Sequence, residues 1–493
     1  MLKRPQEQQM RSTPFLGREE ELQQLSALWS LRSTRGAALV ACTGRRRIGK
    51  SALIKHFTSI SNADFILFQG LSPRKGQTNQ DQINNVMADF RKQFKTPKIS
   101  VDDWSDVFEL ISEKIPQGKK SVMLLDEISW MAAHDPDFPG KFKSAWDAHL
   151  KDHSHLIVVI CGSVSSWIEE NILNNTGFVG RFHLHLNVEE MPLHQAKIFW
   201  GKHEERISAE EKLRYICASG CVPRYLEEVD PTLPTEKNLQ RLAFSPGGIL
   251  FSDFEAIFHD IFSRRSAKYK EIIQTLINGP QSFQNICKEI KVTRNGVISK
   301  YLEDLVRAGF LRRDSNYDLQ GKQSKLAQYR IKDNYLRFYL KYILPHKDKI
   351  EKRMFKTFSF DQLANWPAIA GLLFESTVLN NIDKVYRKLK LENADILCAG
   401  PHFQRNTSRS KGACQIDILI QTRFRHLYVC EIKFKKKIDK SIIAAMKKKL
   451  AVFTTPKHYS ISPVLICGGE IDEEVIAEQY FAAIITANDL MSQ

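Results

Sequence analysis

Three observations predict an α/β fold built on a parallel sheet. Four short apolar runs, Ala37 to Cys42, Phe65 to Phe68, Ser121 to Leu125 and Leu156 to Cys161, read as buried strands. The stretches between them are long enough to hold helices, which is the rhythm of parallel strands joined by crossovers. The first run opens into a Gly-bounded turn, as the first strand of such a sheet does before its helix. Ahead of it, Glu19 to Trp29 has helical spacing, and residues 1–14 form a polar arm.

With 493 residues, the chain is too long for one ordinary domain. Its 43% hydrophobic and 26% charged residues exclude a disordered or fibrous chain. Lys and Arg total 72 against 56 acids, and the net charge of +16 favours a polyanionic partner. The nine cysteines have no paired metal-ligand spacing and mostly sit in apolar runs, so they read as reduced thiols. No apolar run approaches the roughly 20 residues of a membrane span, and Met1 to Ser12 has no apolar core for a secretory signal. A cytoplasmic protein with no membrane partner is expected.

Five segments follow. Residues 15–190 carry the sheet, 191–262 read as a helical lid, and 263–320 as three short helices with a two-stranded wing. Residues 321–366 form a basic aromatic connector, and 367–493 a last α/β domain. In the third segment, Tyr269 to Leu276 and Phe283 to Ile290 are helical, and Thr293 caps a third helix with Val297, Ile298, Tyr301, Leu302, Leu305 and Val306 on one face. The wing is expected as Phe310 to Arg313 and Tyr317 to Leu319, turning through Asp314-Ser315-Asn316. This is the winged-helix pattern, whose third helix enters a DNA major groove. Arg294, Asn295, Ser299 and Lys300 lie off the apolar face, and Glu303 and Asp304 oppose phosphate further along the helix.

Gly44-Arg45-Arg46-Arg47-Ile48-Gly49-Lys50-Ser51 is a complete GxxxxGK[ST] between a predicted strand and a predicted helix. Its glycines let the backbone curl so that N–H groups and the positive helix end surround phosphates. Lys50 reaches the terminal phosphates and the Ser51 hydroxyl ligates Mg²⁺, which makes ATP and Mg²⁺ the expected cofactors. Ser121 to Leu125 ends in Asp126-Glu127: Asp126 holds the Mg²⁺ shell, and Glu127 orients an attacking water. Leu156 to Cys161 leads into Gly162-Ser163, where Ser163 senses the γ-phosphate or simply makes a turn.

With these motifs the chain resembles the archaeal-type ATPase family within the AAA-related, STAND-like group of P-loop ATPases. Phe15-Leu16-Gly17-Arg18-Glu19-Glu20-Glu21-Leu22 is similar to that family's opening box, which lies near the adenine. Gly180-Arg181 is similar to its G-R after the sensor strand, implying that Arg181 is a finger toward the γ-phosphate. Gly220-Cys221-Val222-Pro223-Arg224-Tyr225-Leu226 is similar to its G-G-x-P-x-Y-L, with Cys221 in place of the second glycine.

The last segment carries a second constellation. Asp417 stands in the alternating strand Gln415 to Ile420, and Glu431 and Lys433 share one face of the strand Tyr428 to Lys433. Carboxylates on adjacent strands repel unless a divalent ion sits between them, and a nearby lysine stabilises a pentacovalent phosphate. The pattern is similar to the PD-(D/E)XK restriction-endonuclease-like fold and to the nuclease-like tail of archaeal-type ATPases, in which Glu375 matches a further acidic metal residue. The expected metal set there is Glu375, Asp417 and Glu431, with Lys433 catalytic. Residues 401–460 hold fourteen Lys and Arg against three acids, and the runs Lys435 to Lys437 and Lys447 to Lys449 read as solvated surface or a phosphate-backbone track. The expected activity is an ATP-hydrolysing switch coupled to DNA binding and Mg²⁺-dependent DNA cleavage. The alternative is a regulatory ATPase whose non-catalytic tail binds DNA or a protein partner, with a homo-oligomer or an RNA ligand also open.

Overall fold

The computed structural model describes residues 15–492 apart from 33–34, 163–164, 255–265, 318–320, 356, 405, 407–411 and 456. Two compact units emerge: Met1–Thr43 with Gly49–Gly162 and Ile172–Val188, and Gly44–Ile48 with Ser163–Asn171 and Glu189–Gln493. All nine cysteines are free thiols, and only Cys398 and Cys414 are not buried. Among the described residues no helix is long and apolar enough to cross a membrane.

In the first unit, β1 (Ala38–Thr43), β2 (Asp64–Gln69), β3 (Ser121–Asp126), β4 (Leu156–Cys161) and β5 (Phe182–Asn187) form one sheet in the order β2-β3-β4-β1-β5. Every pairing is parallel. Strands β1, β3 and β4 are buried at every position, because helices cover both faces of a parallel sheet. Four of the five strands fall on the apolar runs of the sequence. The fifth, Phe-His-Leu-His-Leu-Asn, was not expected, and its buried positions are few because it lies at the edge. Backbone pairing to β1 fixes it, together with His183 Nδ1 accepting from Leu39 N at 3.1 Å.

The second unit has a large apolar core with members from Met191 to Met491 and a separate cluster around Ile416, Leu427, Val429, Met446 and Leu465. Short helices occupy much of residues 193–243. Helices Ser266–Gln274, Phe283–Glu289 and Gly296–Arg307 accompany a sheet of β6 (Gln281–Ser282), β7 (Leu311–Tyr317) and β8 (Gln323–Ile331), in the order β6-β8-β7. Two expectations are corrected here. Asn295, not Thr293, caps the third helix, its side chain accepting from Ile298 N at 3.0 Å. The wing does not turn at Asp314-Ser315-Asn316: β7 runs straight through these residues and pairs with β8. Asp314 is buried there because Arg330 of β8 donates to it at 2.8 Å, so a residue that reads as turn chemistry is half of an internal ion pair.

The last sheet is mixed. Strands β9 (Ile396–Gln404), β10 (Cys414–Thr422) and β11 (His426–Lys433) pair antiparallel, and β13 (Ser460–Cys467) and β15 (Ala483–Ile485) add in parallel, in the order β15-β13-β11-β10-β9. The short β12 (Lys437–Ile438) and β14 (Glu470–Ile471) pair separately. Helix Ser441–Val452 supplies the crossover from β11 to β13 that a parallel pair requires. Helix Trp366–Asn380 leads into this region and carries Glu375.

Candidate functional site

The phosphate loop is built by backbone conformation. Arg47 and Gly49 have φ of 70° and 90°, and Gly49 supplies the turn that most side chains would strain before the helix Lys50–Ile60. That helix has no side-chain cap and no acid in its first turn. The positive end of its dipole therefore carries no acid of the helix's own, which suits an anion. Lys50 is buried, and Ser51 Oγ donates to Asp126 Oδ2 at 2.7 Å. The strand β3 delivers Asp126 to its tip, where the second oxygen accepts from Glu127 N at 3.1 Å. A hydroxyl and a carboxylate in contact are the hard oxygen donors Mg²⁺ takes, so these residues fit that ion. Glu127 has φ 52°, in the left-handed region, ahead of helix Ile128–Met131. A glutamate held in that region is locally strained, a feature common at catalytic positions.

Other residues of the sequence pattern have defined roles. Phe15 stacks on His56 with centroids 4.3 Å apart. Arg181 makes a two-point pair with Asp147, at 2.8 and 2.7 Å, so its guanidinium is held inside the chain. This pair pulls the Asp147 carboxyl down to about 2. Arg224 pairs on the surface with Glu228 at 2.7 Å. Ser163 lies outside the described residues.

Sequence reading treated Arg45, Arg46 and Arg47 only as loop members, and the structure pairs Arg45 and Arg47 with acids. Buried Arg45 donates to Glu190 at 3.0 Å and pairs with Asp333 at 2.6 Å, and Arg47 reaches Asp253 at 3.0 Å. Burial works against the Arg45 charge, but Asp333 and Glu190 outweigh it and hold the guanidinium more firmly protonated. Glu190 also accepts from Cys221 N at 3.0 Å. It sits so close to Gly220 that a Cβ there would lie 3.1 Å from its carboxylate, which accounts for the glycine that precedes Cys221. Asp333 follows β8 and caps helix Asn334–Phe338. Nothing in the periodicity of the sequence links residues 45, 190 and 333.

The tail brings Asp417 and Glu431 onto neighbouring strands. The β9–β10 register shifts between Ile416 and Leu419, and Asp417 at this irregularity turns one oxygen to Ile432 N at 2.8 Å. Glu431 is buried; one oxygen meets Lys433 Nζ at 2.6 Å and the other meets Lys449 Nζ. Burial pushes the Asp417 carboxyl up, and Glu431 adds to it. Glu431 itself would rise on burial, but Lys449 and Lys433 hold it below the usual range. Burial and then Asp417 push Glu375 up to about 7, against the pull of Arg330 and Arg337. Among the described residues no three His, Cys, Asp or Glu side chains are arranged to hold a metal ion together. Two carboxylates with water and a substrate phosphate are nonetheless a donor set Mg²⁺ accepts, so Asp417 and Glu431 fit it as a pair.

Sequence reasoning missed Lys449 as a partner of Glu431, since it ends a run of three lysines that looks like surface. It also missed Arg330 and Arg337, which are almost fully buried. Arg337 Nε and Nη1 find no partner among the described residues, and burial lowers this guanidinium to about 10.

The sheet, the phosphate loop and the paired Ser51 and Asp126 define a P-loop ATPase unit. Residues 15–229 match the family described as an ATPase domain predominantly from Archaea. The chain is an ATP-hydrolysing enzyme. It is 24% identical over 386 residues to an uncharacterized protein of Methanocaldococcus jannaschii, covering 76% of this chain and 81% of that one. Among solved structures it is similar to the Walker-type ATPase of Pyrococcus abyssi, at 16% identity and TM-score 0.48, over 66% of this chain and 96% of the other. It is similar also to the Aeropyrum pernix ORC2 protein, at 13% identity and TM-score 0.43, over 70% and 97%.

Proposed function

We propose that ATP binding and hydrolysis operate a switch whose effectors are a DNA-binding winged helix at 263–320 and a Mg²⁺-dependent DNA-cleaving tail at 367–493. The observation that carries the cleavage reading is the pairing of buried Glu431 with Lys433, beside Asp417 on the next strand. Asp417 and Glu431 would hold the ion, with Glu375 behind them, and Lys433 would steady the charge that builds on an attacked phosphodiester. Mg²⁺, when bound, supplies charge neutralisation at the phosphate and a more acidic water. At the loop, Lys50 would meet the terminal phosphates, Ser51 and Asp126 would hold the ion, and Glu127 would orient water. Arg181 acts as a finger only after leaving Asp147, so its engagement requires a change at that pair.

DNA contact is supported by a cleft of about 410 Å³ beside helix Gly296–Arg307, where Arg294, Arg313 and Tyr329 stand with Glu303 and with Arg307, which pairs with Glu170. The Arg294 guanidinium lies over the Phe283 ring at 4.9 Å, and Asn295 serves the helix as its cap. Coupling is supported by Arg45: a residue inside the GxxxxGKS loop is bonded to Asp333, which caps the helix that follows strand β8. The reading of a non-cleaving tail is favoured by one observation, that both oxygens of Glu431 are already taken by lysines. Plasmid and single-stranded DNA incubated with the full chain, with and without Mg²⁺, Mn²⁺ and ATP, separate the two. Cutting lost in Asp417→Ala and Glu431→Ala supports the nuclease, and a mobility shift without cutting supports the binding tail.

A further inference from the structure

Helix Ser441–Val452 presents three consecutive lysines, and they do not behave alike. Lys447 and Lys448 are exposed, with Lys447 lying over the Tyr480 ring at 5.3 Å. Lys449 is half-buried and turns toward the sheet, where its ammonium meets Glu431 Oε2. Lys433 occupies Oε1 of the same carboxylate at 2.6 Å. A divalent ion draws on the negative charge of Glu431, and the two ammonium groups already balance that charge. Lys433 leaves the strand on the same face as Glu431, whereas Lys449 arrives from the helix Ser441–Val452, next to the exposed Lys447 and Lys448. Of the two cations, Lys449 is the one that adjoins an exposed basic face where a polyanion can reach it.

We propose that Lys449 is a resident cation that competes with the divalent ion for Glu431 and leaves when a nucleic-acid phosphate gives its ammonium another anion. The inference deepens the cleavage reading above and rests on it. Lys449 is thus a positioning residue: it keeps the empty carboxylate neutralised and makes loading of the ion depend on the polyanion. Chemically the exchange is a swap of ion pairs. The ammonium passes from carboxylate to phosphodiester, and the carboxylate passes from ammonium to metal, with no covalent change.

The test is Mn²⁺ affinity of the full-length, nucleotide-free chain, measured by calorimetry and by water-proton relaxation, with and without a non-cleavable phosphorothioate oligonucleotide. Lys449→Met keeps the aliphatic stem and removes the charge, and Lys449→Gln repeats the change with a polar end should the first variant misfold. Each should bind Mn²⁺ about 10-fold more tightly than the parent without the oligonucleotide, a difference of ~1.4 kcal/mol. In the parent, the oligonucleotide should recover most of that gain. Lys448→Met, which removes the same charge from the neighbouring exposed position, should leave affinity unchanged. Equal affinity in the parent and both Lys449 variants, with binding lost in Glu431→Gln, overturns the competition and leaves the metal site standing. Absence of Mn²⁺ binding in every form, Lys449 variants included, overturns the cleavage reading and this inference with it.

Discussion

The tip of β3 and the middle of β11 use the same ingredients, an acid on a buried strand with a lysine at hand, and arrive at different states. At the first, Asp126 accepts from the Ser51 hydroxyl and from Glu127 N, so its charge is met by neutral donors and remains available to a cation. At the second, Glu431 is met by two ammonium groups, and its charge is already balanced inside the protein. Neutral hydrogen bonds orient a carboxylate without cancelling it, whereas an ion pair cancels it. On the proposed reading, Asp126 is open to a cation, and Glu431 must first exchange an ammonium for one.

The largest expected effect breaks the comparison at its first member. Lys50→Ala should lower ATP turnover by at least ~100-fold in a phosphate-release assay, and an unchanged rate would remove the phosphate loop from the reaction. Glu127→Gln sharpens the same site: nucleotide affinity should persist while kcat falls on the order of 100-fold, because water positioning and not binding is lost. Loss of affinity in step with kcat would instead make Glu127 a binding residue.

Smaller effects test how charges are balanced away from the two acids. Asp333→Asn takes one of two partners from buried Arg45 and should cost about 3 kcal/mol of stability in chemical unfolding. A neutral outcome would show that Glu190 alone holds the arginine. His402 is half-buried with its ring 5.6 Å from Phe453, and burial pushes its imidazole down to about 4. The neutral form is preferred in the fold, so its contribution is full above the ordinary histidine value of 6.5 and is lost as pH falls from there toward 4. His402→Gln should flatten the fall of Tm across that window, and parallel profiles for parent and variant would place the acid sensitivity elsewhere. Asp147→Asn should cost at most ~1 kcal/mol, since the Arg181 pair is partly exposed.

The sequence by itself determined the elements whose neighbours are near in the chain. Four of the five parallel strands, the phosphate loop and the acids at the end of β3 are legible because burial on both sheet faces and the conformation of a loop leave local marks. Edge strands leave weaker ones: β5 alternates histidine with leucine, and β9 contains Gly400-Pro401, so neither reads as a strand until a partner backbone pairs with it. Tertiary structure alone decided where the charges go. Arg45 finds Asp333 nearly three hundred positions away, buried Asp314 is met by Arg330 reaching diagonally across from β8, and Lys449 leaves a run of surface lysines to neutralise Glu431. A charged residue carries the same letter whether it faces water or a buried partner, and only the fold, by removing the water, decides which of the two it meets.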